Sequence, residues 1–427
     1  MVPGPPDRPA RAAVDEAEAV ARRSYGRLLA LLAAPSGDLA GAEDALADAF
    51  ERALRTWPSS GVPRNPEAWL LTVARNRRRD RWRSAAERTS TPLDADVHAA
   101  VWHDVDPDAV EDRRLALLLA CTHPAVNPAM HTPLMLSVVL GYTAEQIGRA
   151  FAVPTSTMAA RLGRAKKRVA APDAAGARPG LVIPEHDELP ALIAPVLEAV
   201  YGAFTIEFTT VTRARHALLL GLADTVAEVA DTAEAHGLAA LLYLSSARFP
   251  ARIADDGTFV PLPQQDPSEW DRVLLDHGRA RLRTAHDAAA AGRGGLGRFQ
   301  LEAAISAVHC ARDESGVTDW ATLRELHDVL ARLAPTLGGT VARAAVVAET
   351  DGAAAGLALV DTLGDRVARL QPAWALRAEL LRRLGRTVDS DAALGRAIDL
   401  TTDPAERAYL QHRRDGHSSE GRSREGH

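Results

Sequence analysis

Apolar residues recur every three to four positions along most of this chain, the spacing that turns one face of an α-helix towards a core. The pattern predicts a helix from Ala17 to Leu32 and a second from Leu39 through AGAEDALADAFERALRTW. In the second, Ala42, Leu46, Ala49, Phe50, Ala53 and Leu54 share a face, and Glu43, Asp44, Asp48, Glu51 and Arg52 lie largely off it. PSSGVPRNP then reads as a turn-rich loop, and Pro66-Glu67 opens a third helix, EAWLLTVARNRRRDRWR, whose apolar face continues through Leu70, Val73 and Ala74. Helical pattern resumes at Arg114 and leads through Pro133 to Leu140.

The stretch from Gly141, GYTAEQIGRAFAVPTSTMAARLGRAKKRV, predicts two helices with a sharp break. Thr143 and Gln146 have the spacing of a capping box, which starts the first helix, Ala144 to Phe151. Its expected apolar face is Ile147, Ala150 and Phe151. Pro154 cannot continue the ladder, and a second helix starts near Thr155. Met158, Leu162 and Ala165 form its expected buried stripe. The opposite face carries Ser156, Ala159, Ala160, Gly163 and Arg164. Small side chains let a helix sink into the DNA major groove, and arginine can bond guanine with two parallel hydrogen bonds. Lys166, Lys167 and Arg168 in the last turn suit phosphate contacts. A basic amphipathic helix pair without DNA affinity fits the same pattern.

From 188 to 413 most of the chain is again helical in pattern. One interruption, FPARIADDGTFVPLPQQDPSEW, reads as a long ordered loop, with Trp270 as a packing anchor beside a helix cap rather than as part of a site. Short helices are expected at Trp320–Leu333, Val341–Glu349, Ala353–Leu363, Pro372–Leu384 and Asp391–Leu400, stacked as pairs that bury each other's apolar faces.

Composition supports an all-α chain: 47% of residues are hydrophobic, yet aromatic residues, which favour strands, make up only 4%. No run reaches the ~18 apolar residues that span a bilayer. The opening MVPGPPDRPARAAVDE has no apolar core, so no signal peptide and a cytoplasmic location are expected. Cys121 and Cys310 are too far apart in sequence for a zinc motif or a disulfide framework.

Charge sharpens the picture. Up to residue 170 the chain has 23 Lys/Arg against 20 Asp/Glu, and the remainder has 27 against 36. The basic character is concentrated: Arg75, Arg77, Arg78, Arg79, Arg81 and Arg83 put six arginines in nine residues, opposed by Asp80 alone. Residues 84–113 are acidic by contrast, from Glu87 and Asp94 to Asp112. Nucleic-acid affinity is therefore expected before residue 170. No catalytic constellation accompanies it. The histidines form no H-x-x-x-H metal pair, and there is no phosphate loop and no G-x-S-x-G. No enzyme activity, cofactor or metal is expected.

The order of these parts resembles the extracytoplasmic-function group of bacterial RNA polymerase sigma factors. AEDALADAFERAL is similar to the core-binding helix of their first domain, and AWLLTVARNRRRDRWR to their promoter-melting helix. HTPLMLSVVLGYTAEQIGRAFAVPTSTMAARLGRAKKRV resembles their second domain, with its helix-turn-helix. CTHPAVNP, DELPALIAPVLEAVYGAF, QDPSEWDR, GRFQLEAAISAVH and TDWATL resemble a subgroup with a long C-terminal extension. LRRLGRTVDSDAALGRAIDL is similar to a tetratricopeptide unit, altered at Ser390 and Leu394. Departures from the family pattern are the run Arg77-Arg78-Arg79, Pro154 in place of a serine cap, and Ala159 in place of a longer polar residue.

The resemblance implies an all-α architecture: two small helical sigma domains, the second with the helix-turn-helix, followed by a helical-repeat domain. Its expected boundaries are a disordered tail 1–15, sigma region 2 at 16–84 and an acidic linker at 85–113. Sigma region 4 follows at 114–171, then a linker at 172–187, the extension at 188–414 and a disordered tail at 415–427. It implies core RNA polymerase and promoter DNA as partners. Asp44, Asp48 and Phe50 would dock on the polymerase. Arg75, Asn76, Arg79 and Arg83 would meet the downstream promoter element. Ser156, Thr157, Ala159, Ala160, Arg161, Gly163, Arg164 and Lys167 would face the upstream element. The acidic extension, carrying charge opposite to the module ahead of it, is expected to contact and regulate the sigma domains. The alternative is a one-component helix-turn-helix regulator with a helical-repeat sensor domain, which leaves residues 17–83 unexplained.

Overall fold

The chain was analysed as a computed structural model that describes residues 8–33, 39–89, 110–151, 153–169, 189–207 and 213–425. The acidic stretch 90–109 and the linker 172–187 lie outside the described residues, as do residues 1–7 and 426–427 of the two expected tails. The fold is all-α, and the described residues hold no strand, only an isolated bridge between Ile253 and Phe259. Two compact units divide the chain, Met1–Ala230 and Asp231–His427.

The first unit begins with α1 (Arg8–Ala33), α2 (Leu39–Ser60) and α3 (Pro66–Thr89), which pack on one another. Of the predicted faces, Ala42, Leu46, Ala49, Ala53, Leu70 and Ala74 are buried and Phe50 and Val73 half-buried, and Leu28, Leu29, Leu32 and Trp57 join them in the core. Leu54, expected on the same face, is exposed instead. Helices α4 (Val110–Ala120), α5 (His131–Val138), α6 (Ala144–Ala150) and α7 (Thr155–Val169) follow. Two further helices, α8 (Leu189–Glu207) and α9 (Arg213–Ala230), complete the unit. Helix α8 packs on α5, and the Tyr142 hydroxyl donates to the Ala203 carbonyl at 3.1 Å. Helix α1 meets α4, and α2 meets α7. At Gly26 in α1 an added Cβ would lie 1.6 Å from the Val139 carbonyl oxygen, so only glycine lets α1 approach this closely.

The second unit opens at Asp231, whose φ of 43° is uncommon for a residue with a side chain. Its carboxylate meets His236 Nε2 and Arg293 Nε, each at 3.1 Å, which holds the turn. Helices α10 (Ala233–Ser246), α11 (Arg272–Ala290) and α12 (Arg298–Cys310) form a first group. The short α13 (Arg312–Ser315) leads to α14 (Trp320–Leu333), α15 (Leu337–Thr350), α16 (Ala353–Asp361), α17 (Gln371–Arg383), α18 (Thr387–Leu400) and α19 (Pro404–Glu425). Each of α14 to α18 packs on the helix after it, and α18 packs on α19. Leu357, Leu380, Leu381, Leu394, Ala397 and Leu410 share one core there.

The long loop is ordered as expected. Trp270 is buried with Leu244, Ala247, Ala251, Leu275 and Cys310, and the Asp271 carboxylate caps α11. Trp270 thus packs as an anchor in that core. The expected tails are shorter than the pattern predicts. Helix α1 already includes Arg8 to Asp15, and α19 continues through residues 415–425. Once Val20 and Leu410 are anchored in their cores, each further helical residue adds a hydrogen bond without a new nucleus, which extends helices into polar sequence.

Candidate nucleic-acid interface

Helices α6 and α7 begin and join as the sequence dictates. The backbone N–H of Gln146 donates to the Thr143 hydroxyl at 3.2 Å, and the Thr143 N–H donates to the Gln146 side chain at 2.9 Å, closing the capping box. A Cβ on Gly148 would lie 2.7 Å from the Val153 carbonyl, so glycine permits the tight turn between the helices. The expected inner face of α6 is only partly right: Ile147 is buried, whereas Ala150 and Phe151 are exposed. The helix ends at Ala150, and the turn towards Pro154 rotates Phe151 away from the core.

Helix α7 is divided cleanly. Met158, Leu162, Ala165 and Val169 are buried. At about 25 cal/mol per Å² of apolar surface, that stripe fixes which side faces out. Ser156, Thr157, Ala159, Ala160, Arg161, Gly163, Arg164 and Lys167 are all exposed. They form a shallow surface of small side chains with cations spaced along it. Lys166 departs from the expected phosphate-binding role. Its ammonium donates to Glu43 Oε1 at 2.7 Å across to α2, and the two side chains are only 25% and 17% exposed. Close by, burial, with the negative Glu43 as a lesser cause, pushes the Cys121 thiol up to about 12, so it is a packing residue rather than a nucleophile.

The α2 residues expected to dock on a protein are unequal. Asp44 is exposed, and Asp48 is half-buried, accepting from Arg77 Nε at 2.7 Å. Phe50 is half-buried and stacks on Tyr25 with ring centres 6.4 Å apart. Burial raises the Tyr25 phenol's pKa, reinforced by the charges of Glu43 and Asp44.

In α3, Asn76 and Arg79 are exposed and bonded to each other, Nη2 to Oδ1, at 2.9 Å. Arg75 is half-buried, and Arg83 lies further along the same helix. Arg78 is 3% exposed and donates to the Leu32 carbonyl at the end of α1. That structural role was legible: Leu70, Ala74 and Arg78 are spaced by four, so Arg78 belongs to the buried face. Lys166 carries the same signal, four residues after Leu162 and eight after Met158, but its partner Glu43, 123 residues away, leaves none. Among the described residues no group of His, Cys, Asp and Glu could hold a metal ion, and no helix is long and apolar enough to cross a membrane.

Helices α1 to α3 coincide with a match to the sigma-70 region 2 family model, over residues 20–88. Residues 20–88 therefore carry a sigma-70 region 2 domain, which supports a sigma-factor-like role in promoter-specific transcription initiation. Residues 193–286 match a family of unknown function, DUF6596. An uncharacterized protein of Rhizobium meliloti (strain 1021) is 32% identical over 391 residues, covering 87% of this chain and 88% of the relative, and the chain belongs to that protein's family. No solved structure matches it.

Proposed function

We propose that the chain is a sigma factor of the extracytoplasmic-function kind that binds core RNA polymerase through α2 and directs initiation from a specific promoter. In this reading α3 meets the downstream element through Arg75, Asn76, Arg79 and Arg83. Helices α6 and α7 act as a helix-turn-helix on the upstream element. The observation that carries the reading is the small, basic, fully exposed face of α7 in the same compact unit as the sigma-70 region 2 match. The second unit, Asp231–His427, is regulatory in this proposal, whereas α8, packed on α5, belongs to the first.

The test is transcription in vitro. Full-length protein and core polymerase should select a promoter from a random library, and Asp44→Lys with Asp48→Lys should weaken core binding by reversing charge on the docking face. Core binding no stronger than that of albumin would overturn the proposal. The regulatory part is tested by truncation. Ending the chain at Ala230 respects the boundary of the first unit, whereas ending it at Ala171 strips α8 from α5. A change in initiation rate with the Ala230 end supports regulation by the second unit, and an unchanged rate removes it.

A further inference from the structure

The loop between α10 and α11 is fixed on two sides. Arg252, 8% exposed, reaches Glu406 Oε1 at 3.0 Å and Asp403 Oδ2 at 3.8 Å, both at the start of α19. The Phe259 ring meets Tyr409 edge-on with centres 5.8 Å apart. On the other side Arg312 donates to the carbonyls of Leu262 and Pro263 at 3.0 Å and of Gln265 at 2.7 Å. The loop is thus a rigid wall rather than a flap.

Between that wall and helices α17 and α19 lies an open cavity of about 450 Å³. That volume is in the range of small-molecule sites, roughly 300–1,000 Å³. Pro261, Pro263 and Tyr409 supply its flat apolar surfaces. Its charged lining is Arg382, Arg383 and Arg413 against the single carboxylate of Glu379. Glu379 is saturated: it accepts from Arg382 Nε at 3.1 Å and Nη2 at 2.8 Å, from Arg383 Nε at 2.9 Å, and from Arg413 Nη2. Arg383 also reaches Glu349 through Nη1 at 2.7 Å. A guanidinium carries five N–H donors, so Arg383 and Arg413 bring more than these two carboxylates accept from them. Arg413 also lies over the Tyr409 ring, 5.9 Å from its centre, which holds the cation beside the apolar wall. Cations in excess next to flat apolar surfaces suit an anion carried on a flat group.

We propose that this cavity binds a small organic oxyanion, a carboxylate or phosphate borne on a flat apolar group. Arg383 and Arg413 hold the oxyanion, and Tyr409, Pro261 and Pro263 cover the flat part. The site makes the second unit a ligand-binding domain, a property beyond promoter-specific initiation. Its test reads binding alone, so it stands or falls apart from the transcription proposal.

Isothermal titration of the full-length chain with phenyl phosphate and with benzoate is the experiment. At least one should bind about tenfold more tightly than phenol and than inorganic phosphate, the two controls that each lack one half of the recognised chemistry. The tighter of the two probes identifies the oxyanion. Arg383→Met and Arg413→Met should each weaken binding about tenfold. Glu379→Gln should tighten it, because the competing carboxylate is gone. Where a methionine variant melts early by circular dichroism, Arg383→Lys replaces it, keeping the charge without the fork, and should still lose affinity. Absence of binding by either probe at roughly 10 mM, a few kcal/mol at most, would overturn the proposal. So would arginine variants that bind like the wild type, or a Glu379→Gln variant that binds more weakly.

Discussion

Helices α3 and α7 carry the two densest basic stretches of the chain, and the fold treats them oppositely. In α3, Arg78 is buried against a backbone carbonyl, Arg77 pairs with Asp48 and Arg79 bonds to Asn76. Arg78 and Arg77 thereby tie α3 to α1 and α2. In α7 Lys166 is used this way, in the pair with Glu43, and Arg168 donates to the Ala125 carbonyl at 3.4 Å. Arg161, Arg164 and Lys167 are exposed, and none is in an ion pair with another described residue. Charge density in a sequence therefore overstates the charge left for a partner. What decides is whether an arginine falls on the apolar stripe of its own helix.

That contrast can be broken most severely at Arg78. Arg78→Ala removes a buried charged donor and strands the Leu32 carbonyl, so the first unit should lose about 3 kcal/mol in chemical denaturation. Arg79→Ala in the same helix should leave that stability within about 0.5 kcal/mol. If both variants unfold alike, the division of labour within α3 is wrong.

Arg164→Ala and Arg161→Ala should do the reverse. Stability stays, while binding to the upstream element weakens by about 1–3 kcal/mol with relaxed preference at one base position. Binding measured against single-base variants of that element checks this. A uniform loss across all bases would make these residues phosphate contacts instead.

The Lys166–Glu43 pair comes next. It is partly solvated, so a double-mutant cycle with Lys166→Ala and Glu43→Ala should give a coupling of about 1 kcal/mol in the stability of the first unit. Zero coupling would mean that α2 and α7 are held together by packing alone. The smallest effect is expected at Lys167. Lys167→Ala should weaken binding to all DNA sequences equally and reduce the salt slope by about 1, read from affinity against salt concentration.

Much of the first unit was legible because its signals are local. Thr143 with Gln146, Pro154, and Met158 with Leu162 and Ala165 each specify structure within a turn or two of helix. The exposed face of α7 follows from the same periodicity. Arg78 was legible in principle, through its spacing from Leu70 and Ala74, but a count of arginines obscures it. Lys166 was legible in the same way, four residues after Leu162 and eight after Met158, whereas its partner Glu43 was not, because it is distant in sequence. Phe151 was misjudged because periodicity was carried one residue past the end of its helix. In the second unit the helices between Trp320 and Leu400 were readable to within a few residues. The cavity was not, since it needs a loop near residue 262 and helices near 380 and 410 to meet.

The clamp of Arg252 on Asp403 and Glu406 sets a schedule as well as a shape. Its partners in the Glu406 bond are 154 residues apart. A ribosome adding about 5–20 residues per second needs on the order of 8–30 s to make the distance between them. Throughout that interval the loop after α10 has emerged without its anchor, and Arg252 has no carboxylate to meet in α19. The first unit, whose sequence is finished by Ala230, is complete before the wait begins. A chain cut short during synthesis would therefore carry a finished first unit and an unclosed second unit, and a nascent-chain protease assay should cleave near Asp255–Gly257 only until residue 406 has cleared the ribosome.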